Sequence, residues 1–277
     1  MKIAVIIDSS AGIKDTQNYK NLHLVPLMIT QESGEQISDD QDLSFDEFYQ
    51  LNDSQLLKTS QSVPGVMMNK WDELLKDYDQ VICLLLSKGL SGQFNTFRMF
   101  SQEDEYKGKV FVIDTNGVSI ILKQQILETL ELIEQGKKAE EIQTIIESKN
   151  QSFNCFIIPK SLTQLVRGGR ISKAAAGLAK ILKITPILKY NGEIDKEDKT
   201  RTFKKAIEQA INTLEQKTKS NNKQMDLSYS RADDEVIELV KECIIAKGYE
   251  IRLIEDMPNT ITCHTGRETF AIALWEN

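Results

Sequence analysis

Apolar positions along the chain fall into two patterns. The runs Ile3–Ile7, Val81–Leu86 and Lys109–Ile113 are short and almost continuously apolar. Each closes on a small polar turn: Asp8-Ser9-Ser10-Ala11-Gly12, Ser87-Lys88-Gly89-Leu90-Ser91-Gly92 and Asp114-Thr115-Asn116-Gly117. Such runs predict strands buried on both faces. Between them lie segments with helical periodicity. Ser44-Phe45-Asp46-Glu47 has the form of a capping box, with a helix to about Leu51. Pro64 opens a second helix through Trp71 to Leu75. Phe94, Phe97 and Phe100 repeat at helical spacing after the Ser91 turn, and further helices are predicted over Ser119–Gln135 and Ala139–Ser148. His23–Ile29, interrupted by Pro26, reads as an edge strand. Thr59-Ser60-Gln61-Ser62-Val63 is rich in hydroxyls and cannot be helical directly before Pro64.

The second half is patterned differently. Cys155–Ile158, Pro186–Leu188, Tyr249–Ile254 and Phe270–Trp275 read as strands, and Asn191-Gly192 marks a hairpin. Ser161-Leu162-Thr163-Gln164 is read as a capping box whose helix stops at Gly168-Gly169. A helix from Ser172 runs through Ala174, Ala175, Ala176, Gly177 and Ala179, and amphipathic helices cover Thr202–Lys217 and Asp233–Lys247. The polar stretch Lys217–Gln224 reads as a solvated loop. The expected fold is α/β in two domains. Residues 1–150 form a mostly parallel sheet domain with Ser/Gly turns, and residues 151–277 a mixed or antiparallel α/β domain.

Charge narrows the functional classes. The 277 residues carry a net charge of -7, so no basic face for nucleic acid is expected. The four cysteines are scattered without a C-x-x-C and only two histidines are present, so neither a disulfide framework nor a metal site is expected. The amino-terminal apolar run is too short for a signal peptide, and no run is long enough to span a bilayer. These features predict a soluble cytoplasmic protein.

Ser91 sits where a buried strand gives way to a helix, the place at which open α/β sheets bind ligands and a helix amino terminus favours an anion. Taken alone, this turn is equally a plain strand-to-helix connection. Nearby glycines would permit positive φ or close backbone approach. No G-x-x-x-x-G-K-[ST] or convincing G-x-G-x-x-G supports a nucleotide site, and Gly92 directly after Ser91 breaks the G-x-S-x-G nucleophile elbow.

Eight stretches in order resemble the DegV family of bacterial lipid-binding proteins. They are Asp8-Ser9-Ser10, Thr59-Ser60-Gln61-Ser62-Val63-Pro64, Gly89-Leu90-Ser91-Gly92, Val112-Ile113-Asp114-Thr115, Leu165-Val166-Arg167-Gly168-Gly169-Arg170-Ile171-Ser172, Pro186-Ile187-Leu188 with Gly192, Lys199-Thr200-Arg201, and His264-Thr265-Gly266. The chain departs from the pattern at Lys88, where the family usually has a serine, and after Gly117 and Gly266. The resemblance implies a DegV-like two-domain protein with one long-chain fatty acid between the domains. It also implies that the protein is the non-catalytic, substrate-presenting subunit of a fatty acid kinase. A separate ATP-binding subunit would phosphorylate the carboxylate, and the acyl phosphate would enter phospholipid synthesis. The ligand is the fatty acid itself, with no cofactor and only transient membrane exchange.

The chemistry such a site needs can be stated. Burying a chain of about fourteen methylenes contributes roughly 11 kcal/mol at ~0.8 kcal/mol each, but an unpaired buried carboxylate would cancel much of that. Donors must therefore converge on one end. Matching the family motifs, Thr59, Ser60, Ser91, Gly92 and His264 are the expected carboxylate ligands. Hydroxyls and an imidazole donate without a fixed positive charge. Arg170, Lys199 and Arg201 are assigned to phosphate or partner docking, and tunnel walls to the second domain, including Ala174–Leu182. Two alternatives remain: a serine hydrolase or acyltransferase using Ser91 and His264 with Asp8 or Asp114, and a carrier of another apolar carboxylic acid.

Overall fold

In the computed structural model, which describes residues 1–276, the first apolar run becomes β1 (Ile3–Ile7), buried at every position. A single 3-10 turn over Ser9–Ala11 precedes β2 (Leu22–Leu24) and β3 (Met28–Thr30). β4 (Gln36–Ser38), α1 (Phe45–Ser54), β5 (Lys58–Ser60) and α2 (Pro64–Leu74) follow. Next come β6 (Gln80–Leu84), α3 (Gln93–Phe100), β7 (Val110–Ile113), α4 (Ile120–Glu134) and α5 (Ala139–Ser148). Strands β2-β1-β6-β7 form one parallel sheet in that order. Ile3, Val5 and Ile7 pack with Leu122 and Ile126 of α4 and Ile142 and Ile146 of α5. Ala4 and Ile6, pointing the other way, pack with Met67 and Trp71 of α2 and Phe97 of α3. Helices on both faces are why β1 and β6 read as solid apolar runs instead of alternating.

The predicted capping box of α1 is present: Glu47 N–H donates to Ser44 Oγ at 3.2 Å and Ser44 N–H to Glu47 Oε2 at 3.0 Å. The run His23–Ile29 is not one strand. β2 pairs with β1, whereas β3 joins β4 and β5 in a separate antiparallel sheet ordered β4-β3-β5. Val25-Pro26-Leu27 is the crossover between the sheets, since Pro26 offers no N–H to continue a ladder. Thr59 and Ser60, in the segment expected not to be helical, lie in β5.

The rest of the chain forms β8 (Phe153–Pro159), α6 (Thr163–Gly168), α7 (Lys173–Gly177), β9 (Thr185–Tyr190), β10 (Ile194–Thr200) and α8 (Phe203–Lys217). β11 (Gln224–Tyr229), α9 (Asp234–Ala246), β12 (Glu250–Asp256), α10 (Asn259–Thr265) and β13 (Thr269–Trp275) complete it. Its mixed sheet is ordered β10-β9-β8-β13-β11-β12, with only β11 and β12 parallel. Phe156, Ile158, Phe270 and Ile272 face α8 and α9, packing with Ile207, Ile211 and Val240. By strand alternation the buried Cys155, Ile157, Ala271 and Ala273 face the opposite way.

The fold divides into two units. Met1–Asn150 with Pro258–Thr260 form the first; Gln151–Met257 and the chain after Thr260 form the second. The return of Pro258–Thr260 to the first unit has no precursor in the sequence pattern. Asp39, fully buried, holds that segment: it pairs with Lys14 at 2.6 Å and accepts from Asn259 Nδ2 at 3.1 Å and Thr260 N–H at 3.3 Å.

Two predicted helix features are corrected. Ser161 does not build a capping box: its Oγ accepts from Thr163 N–H at 3.2 Å, and α6 starts with no side-chain cap. The Ala-rich helix is short, α7 passing into a 3-10 turn over Leu178–Lys180. No helix among the described residues is long and apolar enough to cross a membrane.

Candidate functional site

The carboxyl ends of β1, β6 and β7 bring their three turns together. Ser87 N–H donates to Gly117 O at 3.0 Å and Ser119 N–H to Ser10 O at 2.8 Å, so the backbones of the turns are cross-bonded. Asp8, fully buried, is the hub. It accepts from Ser10 N–H at 2.9 Å, Ser10 Oγ at 2.5 Å, Leu86 N–H at 2.8 Å and Gln93 Nε2 at 2.6 Å. Burial pushes its carboxyl above the usual range, and the four hydrogen bonds oppose that.

Ser91 lies at the start of α3, half-buried, with its Oγ accepting from Gln93 N–H at 3.2 Å. That bond uses one lone pair and leaves the hydroxyl proton for a further acceptor. Gly92 has an ordinary helical φ of -70°, so it is not there for left-handed backbone, and a Cβ placed on it would meet nothing within 4 Å. Its value is open space beside Ser91. Lys88, the departure from the family pattern, pairs with Asp114 Oδ2 at 2.5 Å, which neutralises the cation it introduces.

Gln93 joins this turn to the Thr59–Ser62 segment. Its Oε1 accepts from Ser62 N–H at 2.6 Å, while Gln61 Oε1 accepts from Thr96 Oγ1 at 3.1 Å. Ser62 Oγ donates to Val25 O at 3.0 Å. Thr59 is paired with Ile29 in the β5–β3 ladder. The structure thus ties the end of the Thr59–Ser62 segment to the first residues of α3, directly after Ser91 and Gly92, in the first unit. Sequence reading missed Gln93 and undervalued Asp8. The signal for Asp8 was an acid ending a fully apolar strand; nothing local marked Gln93.

In the second unit His264 lies in the last turn of α10, half-buried. Burial, and secondarily the Arg170 guanidinium, push its imidazole down to about 4, so it is neutral at pH 7 with one ring N–H to donate. Arg170 Nη1 donates to Gly168 O, folding the side chain back over its own turn. Gly168 is required by the ring: a Cβ there would lie 2.3 Å from His264 Nδ1. Gly168→Ala is expected to turn the imidazole away and shift its NMR titration, with helix α6 retained; an unmoved His264 resonance would refute this packing. Lys199, near the end of β10, and Arg201, just after it, are exposed and lie together before α8.

Of the carboxylates a hydrolase would need, Asp8 is engaged by four donors, and Asp114 pairs with Lys88 through Oδ2 while its Oδ1 is buried without a partner. Among the described residues no group of three or more His, Cys, Asp or Glu side chains could hold a metal ion.

The sequence model of the DegV family, described as "Uncharacterised protein, DegV family", matches residues 2–277. The chain belongs to the DegV family. A DegV domain-containing protein of Mycoplasmopsis pulmonis is 30% identical over 277 residues, covering 99% of this chain and 95% of the relative. Another from Staphylococcus aureus is 33% identical over 188 residues, covering 67% of this chain and 66% of its own length. Among solved structures, a fatty-acid-binding DegV family protein from Thermus thermophilus superposes with a TM-score of 0.87 at 25% identity, over 100% of both chains. DegV of Bacillus subtilis, described as a fatty acid binding protein, gives 0.83 at 28% identity, again over 100% of both.

Proposed function

We propose that this DegV protein binds one long-chain fatty acid and presents its carboxylate to a separate ATP-dependent kinase subunit. Ser91, Thr59 and Ser60, with the N–H groups about Gly92, and the neutral imidazole of His264 are the proposed carboxylate donors. The observation that carries this reading is electrostatic. Ser91 stands just before a helix with a hydroxyl proton to give, and the charged Asp8 and Lys88 are already engaged, by Gln93 among others and by Asp114. Neutral donors stabilise a carboxylate by hydrogen bonding without locking it to a cation. The oxygen then keeps the nucleophilicity needed to attack the γ-phosphorus of ATP, releasing ADP and forming an acyl phosphate. The fatty-acid-binding relatives from Thermus thermophilus and Bacillus subtilis support the ligand class. The small and apolar side chains of Cys155, Ile157, Ala271 and Ala273 suit a wall for the hydrocarbon.

Transient exchange with a lipid surface has support in the charge pattern. From Lys160 to Gly192 the chain has seven lysines and arginines and no acid, within a protein of net charge -7. Leu182 in that stretch is 86% exposed.

Native mass spectrometry of the purified protein is expected to show a bound species with the mass of a long-chain fatty acid. A protein that purifies empty and takes up no added fatty acid in calorimetry would sink the reading. Arg201→Ala is expected to leave fatty acid affinity within twofold and to lower acyl phosphate formation about tenfold with the kinase subunit supplied, as loss of a guanidinium–anion contact would. Normal turnover would remove Arg201 from partner docking.

A further inference from the structure

We propose that Gln93 is a positioning residue for the carboxylate site, setting the Thr59–Ser62 segment against the Ser91 turn; this rests on the reading of a fatty-acid headgroup site given above. Gln93 is fully buried, an uncommon place for an amide, and it makes two short side-chain bonds of opposite sense. Nε2 donates to Asp8 Oδ2 at 2.6 Å and Oε1 accepts from Ser62 N–H at 2.6 Å. Each fixes the other. The Ser62 backbone N–H can only donate, so the amide oxygen must face it; the NH2 is then turned to Asp8 Oδ2. The backbone N–H of the same residue is held by Ser91 Oγ at 3.2 Å. One residue therefore touches the hub of the turns, the serine proposed to meet the carboxylate, and Ser62, two residues past the strand that carries Thr59 and Ser60.

Few side chains can replace it. Glutamate has no donor for Asp8 when ionised and would place two carboxylates in contact. Methionine has the length and neither function. Asp8 in turn is buried with hydrogen bonds and no cation among its partners, so removing the amide takes away one of its four donors. A site positioned within about 0.5 Å depends on such supporting bonds.

The test compares wild type with Gln93→Met and Gln93→Glu in the full chain, using palmitic acid and hexadecanol, which share a chain and differ in headgroup. Gln93→Met is expected to weaken palmitate at least tenfold and hexadecanol less than threefold, with unfolding still cooperative; Gln93→Glu is expected to do the same or more. Equal losses for acid and alcohol, or no loss for either, would overturn the positioning role, because a purely structural defect does not read the headgroup. If wild type itself failed to bind palmitate, the headgroup-site reading would fall and this inference with it. Should neither variant fold, the side-chain amide of Gln93 is followed by NMR in wild type. Its resonances are expected to shift on adding palmitate and not hexadecanol; resonances unmoved by palmitate, or moved equally by both, count against the proposal.

Discussion

Ser91→Ala and His264→Ala are each expected to weaken fatty acid binding by roughly ten- to a hundredfold. A hydrogen bond to a charged group contributes about 1.5–3 kcal/mol, which is that range of affinity. The two substitutions differ in their side effects. Ser91 Oγ also accepts from Gln93 N–H, so Ser91→Ala is expected to lower stability by about 1 kcal/mol through that lost hydrogen bond as well. His264 is neutral and half-buried, and its replacement opens space beside Gly168 without stranding a charge. Calorimetric titration alongside urea unfolding separates affinity from stability. If both variants bound as wild type does, the headgroup would lie somewhere else in the protein.

Asp39→Ala is expected to destabilise the protein by about 3–5 kcal/mol, the cost of removing one partner of a buried ion pair. The substitution leaves Lys14 without its carboxylate and takes the acceptor from Asn259 Nδ2 and Thr260 N–H. Asp39→Asn keeps an acceptor and is expected to cost less. Lys14 Nζ retains Leu43 O at 2.7 Å in either case, which limits the damage on that side. Urea unfolding measures it: a loss below about 1 kcal/mol for Asp39→Ala would mean the pair contributes no more than an exposed one. The segment concerned begins α10, the helix whose last turn carries His264.

How much of this was legible beforehand depends on how local each signal was. Strands β1, β6 and β7 were readable because helices cover both of their faces, leaving continuous apolar runs. The α1 cap was readable because Ser44 and Glu47 satisfy each other within four residues. β11 was obscured by the polar stretch before it and by its alternating composition, with Asp226 and Ser228 on one face and Met225 and Leu227 on the other. Asp226 is buried, accepting from Arg252 Nε at 2.9 Å and Trp275 Nε1 at 2.9 Å, partners distant in sequence. α10 lacked an apolar stripe. Ser161 looked like a capping box and was not, because its hydroxyl bonded the amide two residues on, one short of the third.

The sequence by itself determined the class of the fold, the polar turns that end the parallel strands and the family, since these rest on local patterning and on short motifs in order. Tertiary structure alone decided which polar groups answer one another. Asp8 reaches Leu86 and Gln93, and Asp39 reaches Asn259 across 220 positions, because a buried carboxylate takes its donors from whatever the fold places within hydrogen-bond range. Such pairings depend on distance in space, which a periodic pattern along the chain does not encode.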